Sequence, residues 1–303
     1  MSLLRFTTVD VFTGRQFGGN PLAIVHQADS LKTPQMQDIA AEFNLSETAF
    51  VLRPRDAANT ARVRIFTPRA ELPFAGHPNV GTGFVLAREA ERRGQPIADD
   101  LMTFEELGGL IRVKVLRDGS GIAGAQVAAP QRLSIGETMP PGIVAQLCGI
   151  AISGIEQSRH LPCLASVGAP FVFAEVKNRA TLAGAAPVAA AFAQSLPQTS
   201  AVGLFLYVRE PLSNPPIQAR MFAPMLGVPE DAATGAANLA LAGLLAHLHS
   251  KSDLVFKTRI GQGVDMGRPS VLGVMATKKN GTVTATHVGG RCVPVMKGTL
   301  TLA

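Results

Sequence analysis

Ala75-Gly76-His77-Pro78 and Ala232-Ala233-Thr234-Gly235 are the two stretches from which the fold is read. Each ends a loop and opens a run rich in Ala, Gly and Leu or Val. The first run predicts a helix to about Arg93, stopped by Gly94, and the second a helix from Gly235 to about His249. Upstream of the first loop, Leu4–Phe12, Pro21–Val25, Glu47–Leu52 and Arg62–Phe66 read as strands. A helix between them starts at Thr33-Pro34 and runs to about Phe43. Upstream of the second loop, Pro162–Val167, Pro170–Val176, Ala201–Val208 and Ile217–Phe222 read as strands, with an Ala-rich helix over Ala180–Gln194. Two or three strands fill Leu101–Val127, and four short ones lie between Leu254 and Leu302. The halves thus run in the same order, their loops about 157 positions apart. Their identity is poor, so an internal repeat and a chance likeness both stand open. A repeat would give two similar lobes with a ligand cleft between them.

The chain has 303 residues, 47% of them hydrophobic and 17% charged, which suits folded domains and argues against disorder. A net charge of +6 favours anionic ligands. Nucleic-acid binding is disfavoured, because the basic residues are scattered and there is no Trp and one Tyr to stack bases. Three isolated cysteines, Cys148, Cys163 and Cys292, suit a reducing cytoplasm. The first ten residues hold no long apolar run, so no signal peptide is expected. Gly235–Leu248 is too short to span a membrane. Gly119-Ser-Gly-Ile-Ala-Gly124 matches a dinucleotide fingerprint by letters, but no helix follows it, and Asp118-Gly119 reads as a hairpin turn. The six histidines lack metal-ligand spacing, so no metal is expected.

Helix starts offer unpaired N–H groups to anions, so Gly76-His77 and Thr234-Gly235 could receive a carboxylate; ordinary capping accounts for the same residues. Glu47, in Asn44-Leu45-Ser46-Glu47-Thr48, falls at a strand start among Phe43, Ala49 and Phe50. Partial desolvation there would raise its pKa and suit proton transfer; a local cap formed with Ser46 is the other reading.

Five ordered stretches then resemble one family. They are Val9-Asp-Val-Phe-Thr13 with Phe17-Gly-Gly-Asn-Pro-Leu-Ala23; Glu42-Phe-Asn-Leu-Ser-Glu-Thr-Ala-Phe50; Arg64-Ile-Phe-Thr-Pro68 with Glu71-Leu-Pro-Phe-Ala-Gly-His-Pro78; Met221-Phe-Ala-Pro224 with Pro229-Glu-Asp-Ala-Ala-Thr-Gly235; and Gly261-Gln-Gly263 with Met266-Gly-Arg-Pro-Ser270. Together they resemble the PhzF-like family of phenazine biosynthesis, within the diaminopimelate-epimerase fold. The resemblance implies an α+β fold of two similar lobes, each a curved, mostly antiparallel sheet wrapped round a central helix. Lobe boundaries are expected at 1–128 with about 283–303, and at 129–282. It also implies a homodimer and cofactor-independent isomerisation of a small cyclic or unsaturated carboxylate resembling a dihydro-hydroxyanthranilate. Glu47 is the implied general acid and base. His77 and Asp231 would bind polar substrate groups or assist proton transfer, and Ser46, Gly76, Thr234 and Gly235 would bind substrate in the same cleft.

Two departures matter. Ala236 stands where the family usually has serine, and a lost hydrogen bond to a charged group costs about 1.5–3 kcal/mol. Related racemases use two thiols, and the matching positions here, Ala75 and Ala232, cannot carry a proton. A non-catalytic carboxylate-binding protein on the same fold is the alternative function.

Overall fold

The computed structural model describes residues 2–196 and 199–302. Met1, Pro197, Gln198 and Ala303 lie outside the described residues. The chain divides into two compact units: one runs to Pro130 and takes back Gly289 onward, and the other is Gln131–Val288. Each is α+β.

The first unit begins with the hairpin β1 (Ser2–Val11) and β2 (Asn20–Val25), then α1 (Thr33–Phe43). A second hairpin follows, β3 (Glu47–Leu52) and β4 (Ala61–Phe66), then the short β5 (Glu71–Leu72) and α2 (Gly76–Arg92). The strands β6 (Leu101–Glu106), β7 (Gly109–Asp118) and β8 (Gly121–Ala128) complete it. Pairs joined through a helix are parallel, β2 with β3 and β4 with β6. Hairpin pairs are antiparallel.

The second unit starts with β9 (Ser134–Thr138), α3 (Pro141–Cys148) and β10 (Ile155–Glu156). It then repeats the order: hairpin β11 (Cys163–Ser166) and β12 (Pro170–Val176), helices α4 (Arg179–Gly184) and α5 (Ala189–Ser195), hairpin β13 (Gly203–Arg209) and β14 (Ile217–Ala223), and short β15 (Val228–Asp231). The helix α6 (Gly235–Leu248) and strands β16 (Leu254–Gln262), β17 (Ser270–Lys279) and β18 (Thr282–Leu302) finish the chain. Again the pairs across helices are parallel, β12 with β13 and β14 with β16. The end of β18 belongs to the first unit, where it pairs with β1 and β8. That closes the ring β1–β2–β3–β4–β6–β7–β8–β18.

The helix α2 packs on β1, β2, β3, β7 and β8, and α6 packs on β11, β12, β16 and β17. In α2 every residue from Gly76 to Val85 is buried, and α6 is apolar on all sides and buried almost throughout. Close approach explains the glycines of α2: a Cβ at Gly81 would meet Leu22 Cδ2 at 2.6 Å. The outer helix α1 covers the opposite face of β1–β4 through Met36, Ile39 and Ala40, packed with Val25, Phe50 and Phe66.

Strand register shows the repeat residue by residue. Phe66 pairs with Thr48, and Phe222 with Leu204. Ile65 pairs with Leu72, and Met221 with Asp231. Ala61 pairs with Phe104, and Ile217 with Ile260. The helix starts, Gly76 and Gly235, complete the correspondence, so the offset at the loops is two residues larger than direct alignment of the two loops suggests. The position equivalent to Ala75 is Thr234, not Ala232.

Three other expectations need correction. The helix expected over Ala180–Gln194 is two short ones, because Pro187 cannot donate to the helix ladder and Ala185 is already extended. The final four strands are three, the last 21 residues long. The Pro141–Cys148 helix was not foreseen.

One prediction belongs here. Gly124 on β8 lies so close to β18 that an added Cβ would fall on the Gly290 carbonyl oxygen. Gly124→Ala should therefore destabilise the chain by at least the ~1–3 kcal/mol of overpacking. Denaturant unfolding reads it; an unchanged midpoint would contradict this contact.

Candidate active site

In the first unit α1 ends at Asn44 in a left-handed conformation, φ 49°. That turn delivers Ser46 and Glu47 to the start of β3. The Ser46 hydroxyl donates to Asn20 Oδ1 at 3.0 Å. Glu47 Oε2 lies 3.0 Å from His77 Nδ1, with the Glu47 side chain 18% exposed and that of His77 4%. Burial pushes the His77 pKa down to about 3, the Pro21 carbonyl opposing only in part. The imidazole is therefore neutral near pH 7, with Nδ1 set against the Glu47 carboxyl group. His77 Nε2 is buried without a hydrogen-bond partner. A histidine with a depressed pKa contributes its stability above about 6.5 and loses it as pH falls toward about 3.

His77 occupies the second position of α2. Two residues on, Asn79 Nδ2 donates to the Ala75 carbonyl at 3.0 Å, closing the first turn from inside the buried helix. Gly76 leaves the entry without a side chain.

In the second unit Thr234 Oγ1 donates to Asp231 Oδ2 at 2.6 Å. Gln262, at the end of β16, ties the turn together. Its Oε1 accepts from the Thr234 amide at 3.2 Å and from Asn238 Nδ2 at 2.8 Å. Its Nε2 donates to the Asp231 carbonyl at 2.8 Å and to Thr234 Oγ1 at 3.1 Å. Asn238 also donates to the Thr234 carbonyl at 2.9 Å, as Asn79 does to Ala75. Arg220 grips Glu230, next to Asp231, with bonds of 2.8 and 2.7 Å. Gly263 must stay small, since a Cβ there would meet the Ala232 carbonyl at 2.6 Å.

The expected residues therefore form two groups. Ser46, Glu47, Gly76 and His77 gather at the start of α2, and Asp231, Thr234 and Gly235 at the start of α6. Gln262, Asn79 and Asn238 were not foreseen as parts of these turns. The signal for Asn79 and Asn238 is an internal repeat: Arg64-Ile-Phe-Thr-Pro68, Glu71, Gly76 and Asn79 match Arg220-Met-Phe-Ala-Pro224, Glu230, Gly235 and Asn238. The physical contacts match too. Arg64 binds Glu71 with two bonds of 2.6 Å and lies 5.1 Å over Phe66; Arg220 lies 4.9 Å over Phe222.

The repeat breaks at four of the expected site residues. The counterpart of Glu47 is Gly203, of His77 Ala236, of Asp231 Leu72, and of Thr234 Ala75. Among the described residues, no cluster of three or more His, Cys, Asp and Glu side chains could hold a metal ion. The three thiols are buried and unpaired, and burial raises the Cys292 pKa to about 12. No described helix is long and apolar enough to cross a membrane.

The chain is similar to known proteins over nearly its whole length. An uncharacterized isomerase of Mesorhizobium japonicum is 36% identical over 99% of both chains. The trans-2,3-dihydro-3-hydroxyanthranilate isomerase of Pseudomonas chlororaphis is 32% identical over 98% of this chain and 99% of its own. A solved PhzF-family phenazine biosynthesis protein of Bacillus anthracis shares the fold with a TM-score of 0.88 over 100% of both chains, at 22% identity. A hydroxyproline epimerase of Agrobacterium vitis shares it with a TM-score of 0.64 at 12% identity, over 99% of this chain and 91% of its own. The family model described as phenazine biosynthesis-like protein matches residues 9–298, a span that holds both helix-start groups, and the chain belongs to that family.

Proposed function

We propose that this chain is a cofactor-independent isomerase that moves a proton on a small cyclic or unsaturated carboxylate, with Glu47 as the general acid and base. One observation carries the reading: a carboxylate at the start of β3 lies 3.0 Å from a buried, neutral imidazole. His77 Nδ1 engages Oε2 of Glu47 and orients the side chain, whose carboxylate would take a proton from one carbon and return it to another. Because the carboxylate is regenerated by that return, the step needs no redox partner. Asp231, oriented by Thr234, is assigned to a polar substrate group or to assisting proton transfer. Ser46, Gly76, Thr234 and Gly235 are assigned to substrate binding, through hydroxyl groups and the unpaired N–H groups that a helix start offers. The relatives support a dihydro-hydroxyanthranilate-like substrate, and the family resemblance supports a homodimer. Three unpaired thiols support a cytoplasmic setting.

Ala236 favours a second reading, a carboxylate-binding protein without turnover, since the family's serine hydroxyl is missing there. The test is NMR on the wild-type protein with a panel of small unsaturated and amino carboxylates, including trans-2,3-dihydro-3-hydroxyanthranilate. Conversion of a panel member to an isomer supports the enzyme. Ligand-induced shifts without conversion support the binder, and silence across the panel contradicts both.

A further inference from the structure

Glu106 ends β6, and neither the proposed proton transfer nor the scaffold repeat described above uses it. Both its carboxyl oxygens are buried without a hydrogen-bond partner, and so is Asn79 Oδ1. The strand register gives its counterpart. Ala61 pairs with Phe104 and Ile217 with Ile260, so two residues further on Glu106 corresponds to Gln262. The neighbours correspond as well: Glu106 faces Asn79 of α2, and Gln262 binds Asn238 of α6. In the second unit that amide holds the helix start through four hydrogen bonds. The first unit has a carboxyl where the second has an amide.

We propose that Glu106 serves as the carboxylic-acid counterpart of Gln262 and is a positioning residue for the turn of α2 that carries His77. A protonated carboxyl has one donor and one acceptor in nearly the amide's shape, so it can complete such a turn; a carboxylate has no donor. The surroundings fit the acid form. Burial raises the Glu106 pKa to about 8, and the Asn79 amide opposes this. The groups packed near it are neutral or engaged elsewhere. On α2, Asn79 is an amide, and His77 is turned to Glu47. On β7, Gly109 lies opposite. Glu105 next to it is bound by Asn59 and by the amides of Arg55 and Asp56.

The sign of the linkage gives a test that needs no substrate. A carboxyl whose pKa is raised by folding stabilises the fold below its unfolded value, about 4.5, and that contribution is lost as pH rises to about 8. Melting temperatures of the full chain should therefore differ with pH between wild type and Glu106→Gln. The two are expected to lie close together near pH 5, with the variant gaining several degrees over the wild type by pH 8 and no further gain above pH 9. Parallel curves would overturn the proposal. The activity arm rests on the isomerase reading. Glu106→Ala should lower turnover, Glu106→Gln should restore it, and the decline of wild-type activity above about pH 8 should be absent in Glu106→Gln. An alanine variant as active as wild type would overturn the positioning role. If no carboxylate reacts, the isomerase reading fails while the melting curves still decide this one.

Discussion

Glu47→Gln is expected to slow turnover by about 10²–10⁴-fold, the usual contribution of a positioned general acid or base. Glutamine keeps the length of the side chain and can still meet His77, so folding and ligand binding should persist. What it loses is the oxygen that accepts a proton. His77 offers no substitute, because its buried imidazole has a pKa near 3 and stays neutral across the working range. The loss should therefore appear in kcat, with ligand dissociation constants from NMR titration nearly unchanged. A variant with weakened binding and normal kcat would make Glu47 a binding group.

Arg220→Ala should cost about 3–5 kcal/mol, as removal of one partner from a buried ion pair does. Arg220 is 8% exposed and binds both oxygens of Glu230 through the Nε and Nη2 edge of its guanidinium. Its Nη1 also donates to the carbonyls of Leu182, Ala183 and Ala185, which finish α4. Alanine strands the Glu230 carboxylate and removes the donor that the three carbonyls share, of which that of Leu182 keeps the Ala185 amide. Lysine restores charge but not the fork, so Arg220→Lys should recover only part of the loss. Denaturant unfolding of the full chain measures both variants. A loss below about 1 kcal/mol for alanine would be typical of a surface pair and would contradict this account. Since Glu230 precedes Asp231, the same change should also disturb the Asp231–Thr234 hydrogen bond.

Much of this arrangement could be read from residues. Thr33-Pro34 set the start of α1, and Gly94 marked the end of α2. Glu47 is legible as a strand start because the β-branched and apolar run Thr48–Leu52 follows it. The repeat was legible only in outline, because its strongest letters are separated by loops of unequal length. Four residues lie between Glu71 and Gly76 in the first unit, as between Glu230 and Gly235, yet Phe66 to Glu71 is three residues shorter than Phe222 to Glu230. Direct alignment of the loops therefore slipped by two positions, and only strand pairing restored it. Gln262 lies in the stretch Gly261-Gln-Gly263, but that stretch does not state its role, and Glu106 lies in no motif. Their roles depend on register across parallel strands, which a local pattern does not encode. Pro187 marks the break between α4 and α5, while the alanines around it favour one continuous helix.

The most direct test of proton transfer by Glu47 is NMR in deuterated water with trans-2,3-dihydro-3-hydroxyanthranilate, wild type beside Glu47→Gln. Wild type should incorporate deuterium into the isomerised carbon skeleton, and Glu47→Gln should bind the same compound without detectable incorporation. Incorporation by the variant at the wild-type rate would contradict the mechanism, because the proton would then be moving through a group other than Glu47.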